Sequence, residues 1–112
     1  MRVIEFSRRH AQPIELFGSV AASSVRLGDG KGEAHVHCIH FEPGGSIGEH
    51  PTGFGQLLLV IDGAGWVSGA EGKRIALSAG QGAFFEKGER HAKGSDSGMT
   101  ALMVQVSELQ PV

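Results

Sequence analysis

The apolar residues of this chain fall in short runs separated by polar residues and glycines, and no stretch shows the 3.6-residue period of an amphipathic helix. Pro13 and closely spaced glycines interrupt the first third of the chain before a helical pattern develops. Runs rich in β-branched and aromatic residues indicate strands instead. The predicted strands are Val3–Phe6, Ile14–Phe17, Val20–Leu27, Ala34–Phe41, Gln56–Ile61, Gly65–Ser68, Arg74–Leu77, Ala83–Phe85 and Met99–Val106.

Turns rich in glycine separate these strands. They are predicted at Gly28-Asp29-Gly30, Pro43-Gly44-Gly45, Asp62-Gly63, Glu71-Gly72, Ala79-Gly80 and Lys87-Gly88. Many short strands joined by regularly spaced turns are typical of a β-sandwich or a β-barrel. No shift in composition marks a linker, so residues 1–112 are predicted to form one all-β domain.

The alternation of side chains along a strand predicts which residues share a face. In Ala34–Phe41, the best core candidates are Ile39 and Phe41. Their face also carries His37, which is therefore predicted to lie inside, whereas His40 is predicted to lie outside.

The strand Gln56–Ile61 is apolar on both faces, which predicts that it is covered on both sides. Its apolar residues alternate as Leu57, Leu59 and Ile61 on one face and Leu58 and Val60 on the other. The cover is either the chain's own sandwich or a second copy, and we expect a homodimer. The segment Val3–Phe6 is a candidate for pairing with the partner's sheet.

Composition excludes several classes of function. Hydrophobic residues make up 40% of the chain, which suits a soluble core, and the formal net charge is −2. No basic patch indicates binding to nucleic acid or to an anionic membrane. Cys38 is the only cysteine, so no disulfide forms within the chain. The sequence shows neither a secretion signal nor an apolar run of about 20 residues that would span a membrane, and we expect a cytoplasmic protein.

Two glycine-framed segments carry the candidate chemistry. Outside them, the chain has no serine nucleophile elbow, phosphate-binding loop or dinucleotide fingerprint. The first segment contains Gly44, His50, Thr52, Gln56 and Gly63, and the second contains Gly80, Glu86, Gly88, His91 and Ser95. In the spacing of these residues, the two segments together resemble the paired motifs of the cupin superfamily.

The resemblance implies a double-stranded β-helix, a jelly-roll barrel of two antiparallel sheets that commonly dimerises. It also implies a divalent metal held by three histidines and one glutamate. His50 and His91 occupy two of these positions unchanged, whereas Thr52 replaces the third histidine and Gln56 replaces the glutamate.

The metal ligands implied by this resemblance are His50, Gln56 and His91, with zinc, nickel, iron or manganese as the cofactor. An amide oxygen coordinates a cation without neutralising its charge, so we expect weaker binding than in a full site. His37 would restore a third imidazole if its ring reaches the same point.

Three further residues, His37, Thr52 and Phe54, are predicted to line the pocket. Phe54 lies between two glycines, in the segment that joins the pocket residues, and is the candidate gate. No residue is assigned a catalytic role.

Three functions fit these residues, and fold alone does not choose among them. The first is a protein that binds a small organic molecule in the barrel, with metal optional. The second is a metal-dependent enzyme such as a dioxygenase or an isomerase. The third is a module whose barrel is filled by apolar side chains and whose task is association.

Overall fold

The computed structural model describes residues 1–112 and confirms the all-β fold. Two short 3-10 helices occur at Arg8–His10 and Leu16–Gly18, and there is no α-helix. None of the helical segments is long and apolar enough to cross a membrane. The ten strands are β1 Arg2–Glu5, β2 Gln12–Pro13, β3 Ser23–Ser24, β4 Gly28–Phe41, β5 Ser46–Pro51, β6 Gly55–Ser68, β7 Arg74–Ser78, β8 Gln81–Phe85, β9 Arg90–Gly94 and β10 Met99–Pro111.

The strands form two antiparallel sheets that share β6, as in a double-stranded β-helix. One sheet has the order β1-β8-β6-β10-β4, and in the other β9 joins β5 to β6, which also pairs with β7. The first part of β6 pairs with β8 and β10, and its last five residues pair with β7. One continuous strand therefore carries the chain from one sheet into the other.

The turn predicted at Asp62-Gly63 is instead a bend within β6. The register with β10 shifts here, because Thr100 lies opposite Asp62 whereas Ala101 lies opposite Val60. Gly63 has a φ of +77°, and a Cβ at this position would lie 2.3 Å from the carbonyl oxygen of Gly98. Glycine at this β-bulge lets the strand change direction without a break in pairing.

The turn predicted at residues 28–30 is also wrong, because β4 begins at Gly28 and pairs with β10 over this stretch. The strands predicted at Ile14–Phe17 and Val20–Leu27 are mostly absent. Residues 12–24 form the 3-10 helix Leu16–Gly18 and a two-residue ladder between β2 and β3. Nearly all of this segment is exposed, and Phe17 is 94% exposed. Its apolar residues have no core to join, so they do not complete long strands.

Nine buried side chains form the core between the two sheets. They come from β4, β6, β7, β8 and β10: Phe41, Leu58, Val60, Val67, Leu77, Ala83, Phe85, Met99 and Ala101. The predicted core position of Phe41 is confirmed, with Ile39 packed against the cluster.

The second face of β6 is covered by the chain itself. Leu57 and Leu59 form a smaller cluster with Phe84, against which residues of β1, β10 and the loops pack, whereas Ile61 is about half exposed. The segment Val3–Phe6, predicted to pair with a partner's sheet, lies at the edge of this sheet and pairs with β8 of its own chain on one side. The two-sided apolar pattern is thus explained without a second copy, and the homodimer stays a prediction.

Candidate functional site

His50 and His91 meet at the junction of two paired strands. β5 and β9 run antiparallel with His50 directly opposite His91. The two Nε2 atoms are 3.3 Å apart, and the ring centroids are 4.7 Å apart with the planes tilted by 59°. His91 has no exposed surface, whereas His50 is exposed to solvent. The pair therefore connects the surface of the barrel with its interior.

Hydrogen bonding assigns the proton positions that the two rings take when both are neutral. The His50 Nδ1 atom is 2.7 Å from the carbonyl oxygen of Gly48, which only accepts, so Nδ1 carries the proton and donates it. The Nε2 atom of His50 then presents a lone pair, and His91 donates to it through its own Nε2–H. This leaves the Nδ1 atom of His91 buried and without a hydrogen-bond partner. Unpartnered buried polar atoms are rare and are typical of functional sites.

The surroundings of His91 keep its ring neutral. Its imidazole meets the Phe85 ring edge to face, with centroids 4.4 Å apart. Burial is the largest cause of a fall in the pKa of His91 to about 3, followed by the charges of Lys93 and His50. The ring is therefore uncharged at neutral pH and is able to exchange its single proton between the two nitrogens.

Lys93 places an amine in the barrel beside His91. The two residues are two positions apart on β9 and therefore share a face. Lys93 is 1% exposed, and its Nζ atom donates to the Oε1 atom of Gln56 over 2.6 Å. No carboxylate pairs with this amine, and Nζ lies 5.8 Å from the Phe85 ring centroid. Burial lowers the pKa of Lys93 to about 8, which leaves most of the amine protonated at pH 7.

Gln56 and Thr52, the two residues that differ from the motif, form hydrogen bonds with groups other than the two histidines. Gln56 is buried, but its amide oxygen accepts the hydrogen bond from Lys93. Thr52 is buried as well, and its hydroxyl donates to the carbonyl oxygen of Glu89 over 2.6 Å. Thr52 thus fastens the chain before β6 to the turn that precedes β9.

The donor set does not fit the divalent metal that the motif implies. Two imidazole nitrogens on one tetrahedral zinc ion lie about 3.3 Å apart, so the separation of His50 and His91 alone suits a shared ion. Structural and catalytic zinc sites, however, use three or four protein ligands. The Gln56 oxygen is held by an ammonium group, and no group of three histidine, cysteine or acidic residues surrounds any point of the molecule.

His37 is not in the interior as predicted. It lies on β4 opposite Met103 and is exposed. Its strand is an edge strand whose only neighbour is β10, and Ile39 and Phe41 farther along the same face are covered whereas His37 is not. His37 makes no hydrogen bond to His50 or His91.

Phe54 lies at the edge of the site. It is half-buried and stacks on the ring of His35, with centroids 5.8 Å apart and planes 19° apart. The imidazole of His35 is in turn 2.6 Å from the carboxylate of Glu33. The segment between Thr52 and Gln56 thus contacts β4 through the stacking of Phe54 on His35.

The main cavities of the molecule lie elsewhere. The largest, of about 850 Å³, is lined by the beginning of β4 and the end of β10, together with residues such as Arg2 and Lys87. His50, His91 and Lys93 line none of the four main cavities.

Sequence reasoning missed Lys93, although the sequence carries a signal for it. Once His91 is assigned to a strand with its ring inside, residue 93 must point to the same side. Lysine is seldom fully buried, so a lysine at an inward position is a functional candidate.

Comparison with known proteins agrees with this architecture. A family model described as Cupin domain matches residues 37–106. A cupin superfamily protein from Desulfitobacterium hafniense is similar in structure, with a TM-score of 0.63, 14% identity and coverage of 96% of this chain and 100% of that one.

Two other solved structures are also similar. A conserved double-stranded β-helix protein from Klebsiella pneumoniae gives a TM-score of 0.61 and 20% identity over 93% of this chain and 91% of that one. A cupin-like protein from Thermotoga maritima gives a TM-score of 0.63 and 19% identity over 70% of this chain and 64% of that one. Among curated proteins, no relative matches the chain.

Proposed function

Because the chain belongs to the cupin family, we propose that it binds a small organic molecule in its barrel where His50 and His91 meet, without needing a divalent metal. The observation that carries this proposal is the 3.3 Å contact between an exposed and a buried imidazole. A ligand that contacts the exposed ring of His50 lies next to His91, whose ring belongs to the polar interior.

The polar groups inside the barrel favour a ligand-binding protein over the alternative of a module whose task is association. Such a module fills its barrel with apolar side chains, and the absence of a main cavity beside the histidines agrees with that idea. The interior nevertheless holds a buried ammonium and a buried amide, those of Lys93 and Gln56. Buried polar groups destabilise a fold unless they are fully paired, and His91 Nδ1 is not paired. Retention of such groups favours a role in binding.

The same residues argue against the alternative of a metal-dependent enzyme. A divalent cation at the two histidines would lie close to the Lys93 ammonium, and like charges in a buried site repel strongly. Two imidazoles also fall short of the ligands that a catalytic metal needs. We therefore derive no metal-dependent chemistry for this site.

The proposal is tested by screening a library of small polar fragments with ligand-observed NMR, with and without EDTA. We expect fragments that bind equally well in EDTA and lose binding in His50→Ala, and that shift the imidazole signals of His50 and His91 in protein-observed spectra of the hits. His40→Ala is the matched control, because His40 is an exposed histidine on β4 that bonds only Cys38 and Thr100. Binding abolished by EDTA and restored by Zn²⁺ would instead establish the metal-dependent alternative, and a complete lack of fragments at the site would refute the proposal.

A further inference from the structure

Lys93 has too few partners for a buried cation. Its ammonium group has three N–H donors, and the neutral amide oxygen of Gln56 is its only acceptor in the protein. None of the five ion pairs of the molecule includes it. A buried charge without a counter-charge destabilises the fold, so buried charges are normally paired. The structure thus holds a positive charge in the barrel whose negative partner is missing from the chain.

The position of this charge is informative. Gln56 stands at the glutamate position of the motif, and the Lys93 nitrogen is 2.6 Å from its amide oxygen. The substitution of glutamine for glutamate removes the carboxylate that would otherwise neutralise the ammonium within the protein. The lysine therefore stays available as a cation, in the region where the motif implies a metal ion.

We propose that Lys93 takes the place of the metal ion in this site and binds a carboxylate group of the ligand. This inference rests on the proposed function and names the class of its ligand as small organic carboxylates. The carboxylate accepts the N–H groups of Lys93 that the protein leaves free. Charge-assisted hydrogen bonds of this kind are shorter and stronger than neutral ones.

His91 completes the site for an anion. Its neutral ring carries one proton, which it donates to His50 through Nε2 in the ligand-free protein. If that proton moves to Nδ1 and the bond to His50 is given up, the ring donates to a carboxylate without becoming charged. The unpartnered Nδ1 atom of His91 gives the ring a free polar position beside Lys93. Gln56 holds the ammonium in place and supplies no competing negative charge.

Charge selectivity provides the first test, and it needs no variant. Binding of benzoate and succinate to the protein is compared with binding of benzamide and succinamide by ligand-observed NMR. We expect each carboxylate to bind at least tenfold more tightly than its amide. Equal binding of acid and amide would overturn the role of Lys93 and leave the proposed function standing, whereas no binding of either would refute both. Inorganic phosphate that competes as well as the carboxylates would overturn the assignment to organic carboxylates.

A second test uses Lys93→Met, which removes the charge and keeps most of the apolar stem. We expect carboxylate affinity to fall at least tenfold and to fall by a larger factor than amide affinity, because only the carboxylate loses an opposite charge. Lys73→Met is the matched control, because Lys73 is an exposed lysine in the turn before β7, and it is expected to change neither. A Lys93→Met protein that binds benzoate as well as the parent would contradict the proposal.

Zinc affinity is an independent readout of the same role. If the ammonium stands in for the metal, Lys93→Met frees the Gln56 oxygen and removes the repulsion. Zn²⁺ binding measured by calorimetry is then expected to be at least tenfold tighter in Lys93→Met than in the parent, and to be lost again when His50→Ala is added. Equal zinc affinity in parent and variant would show that Lys93 does not hold the place of the metal.

Discussion

The two strands that carry the histidines, β5 and β9, face each other across one ladder but differ in their surroundings. Every residue of β5 except Ile47 is exposed, whereas His91, Lys93 and Gly94 of β9 are buried. The difference follows from position in the sheet, because β9 lies between β5 and β6 and β5 has only β9 as a neighbour. Two histidines at equivalent motif positions therefore have unequal roles: one contacts solvent and the other belongs to the core.

The largest difference between the two histidines is expected in the effect of alanine substitutions on stability. His91→Ala removes a buried ring that packs against Phe85, and we expect it to lower the free energy of unfolding by about 2–4 kcal/mol. His50→Ala truncates an exposed side chain, and we expect a change within about 0.5 kcal/mol. Urea unfolding followed by circular dichroism measures both values. Equal losses in the two variants would show that the strands are not as different as their exposure indicates.

The dependence of stability on acidic pH tests the burial of His91. The pKa of His91 is about 3 in the folded protein and 6.5 in the unfolded chain, so below pH 6.5 the unfolded state takes up a proton that the folded state does not. The contribution of His91 is fully present above pH 6.5 and declines as the pH falls toward 3, by about 2 kcal/mol between pH 7 and pH 5. Lys93 adds nothing in this range, because it is protonated in both states.

The measurement is the urea midpoint as a function of pH for the parent and for His91→Gln, which keeps a neutral polar side chain. The fall in stability between pH 7 and pH 5 is expected to shrink in the variant. An identical pH dependence in both proteins would mean that another group is responsible.

The smallest effect is expected at the edge of the site. Phe54→Ala removes the ring that stacks on His35, and we expect a loss of stability of less than about 1 kcal/mol. If Phe54 gates access to the interior, the variant increases the rate at which the labile Lys93 protons exchange with water, several-fold by NMR. Phe17→Ala is the control, because Phe17 is exposed on the segment between β2 and β3. An unchanged exchange rate in Phe54→Ala would remove Phe54 from the list of gating residues.

Sequence alone predicted the all-β fold and the family motifs, because alternation and turn glycines are local signals. It missed β5 and β9, the two strands that carry the histidines. Their sequences, SIGEHP and RHAKG, contain only one β-branched apolar residue between them, so no local pattern distinguishes them from loops. These segments become strands through pairing with each other and with β6, which is a tertiary effect.

The candidate site was predicted only in part, because local patterns identify some of its residues and tertiary contacts determine the rest. The motif spacing identified His50 and His91, whose rings the structure brings together. Strand parity assigned His37 correctly to the face of Ile39 and Phe41 but did not reveal that this part of β4 lies at an open edge. The roles of Gln56 and Thr52 depend on Lys93 and on the Glu89 carbonyl, which are distant along the chain and which no local pattern connects to them.

Because β6 runs through both sheets, it restricts how far the two sheets can move relative to each other. Separating the two layers would break the backbone ladders that this strand makes in both sheets. A ligand bound as we propose would therefore enter at lower cost through rearrangement of side chains and of the short Gly53–Gly55 segment than through separation of the sheets.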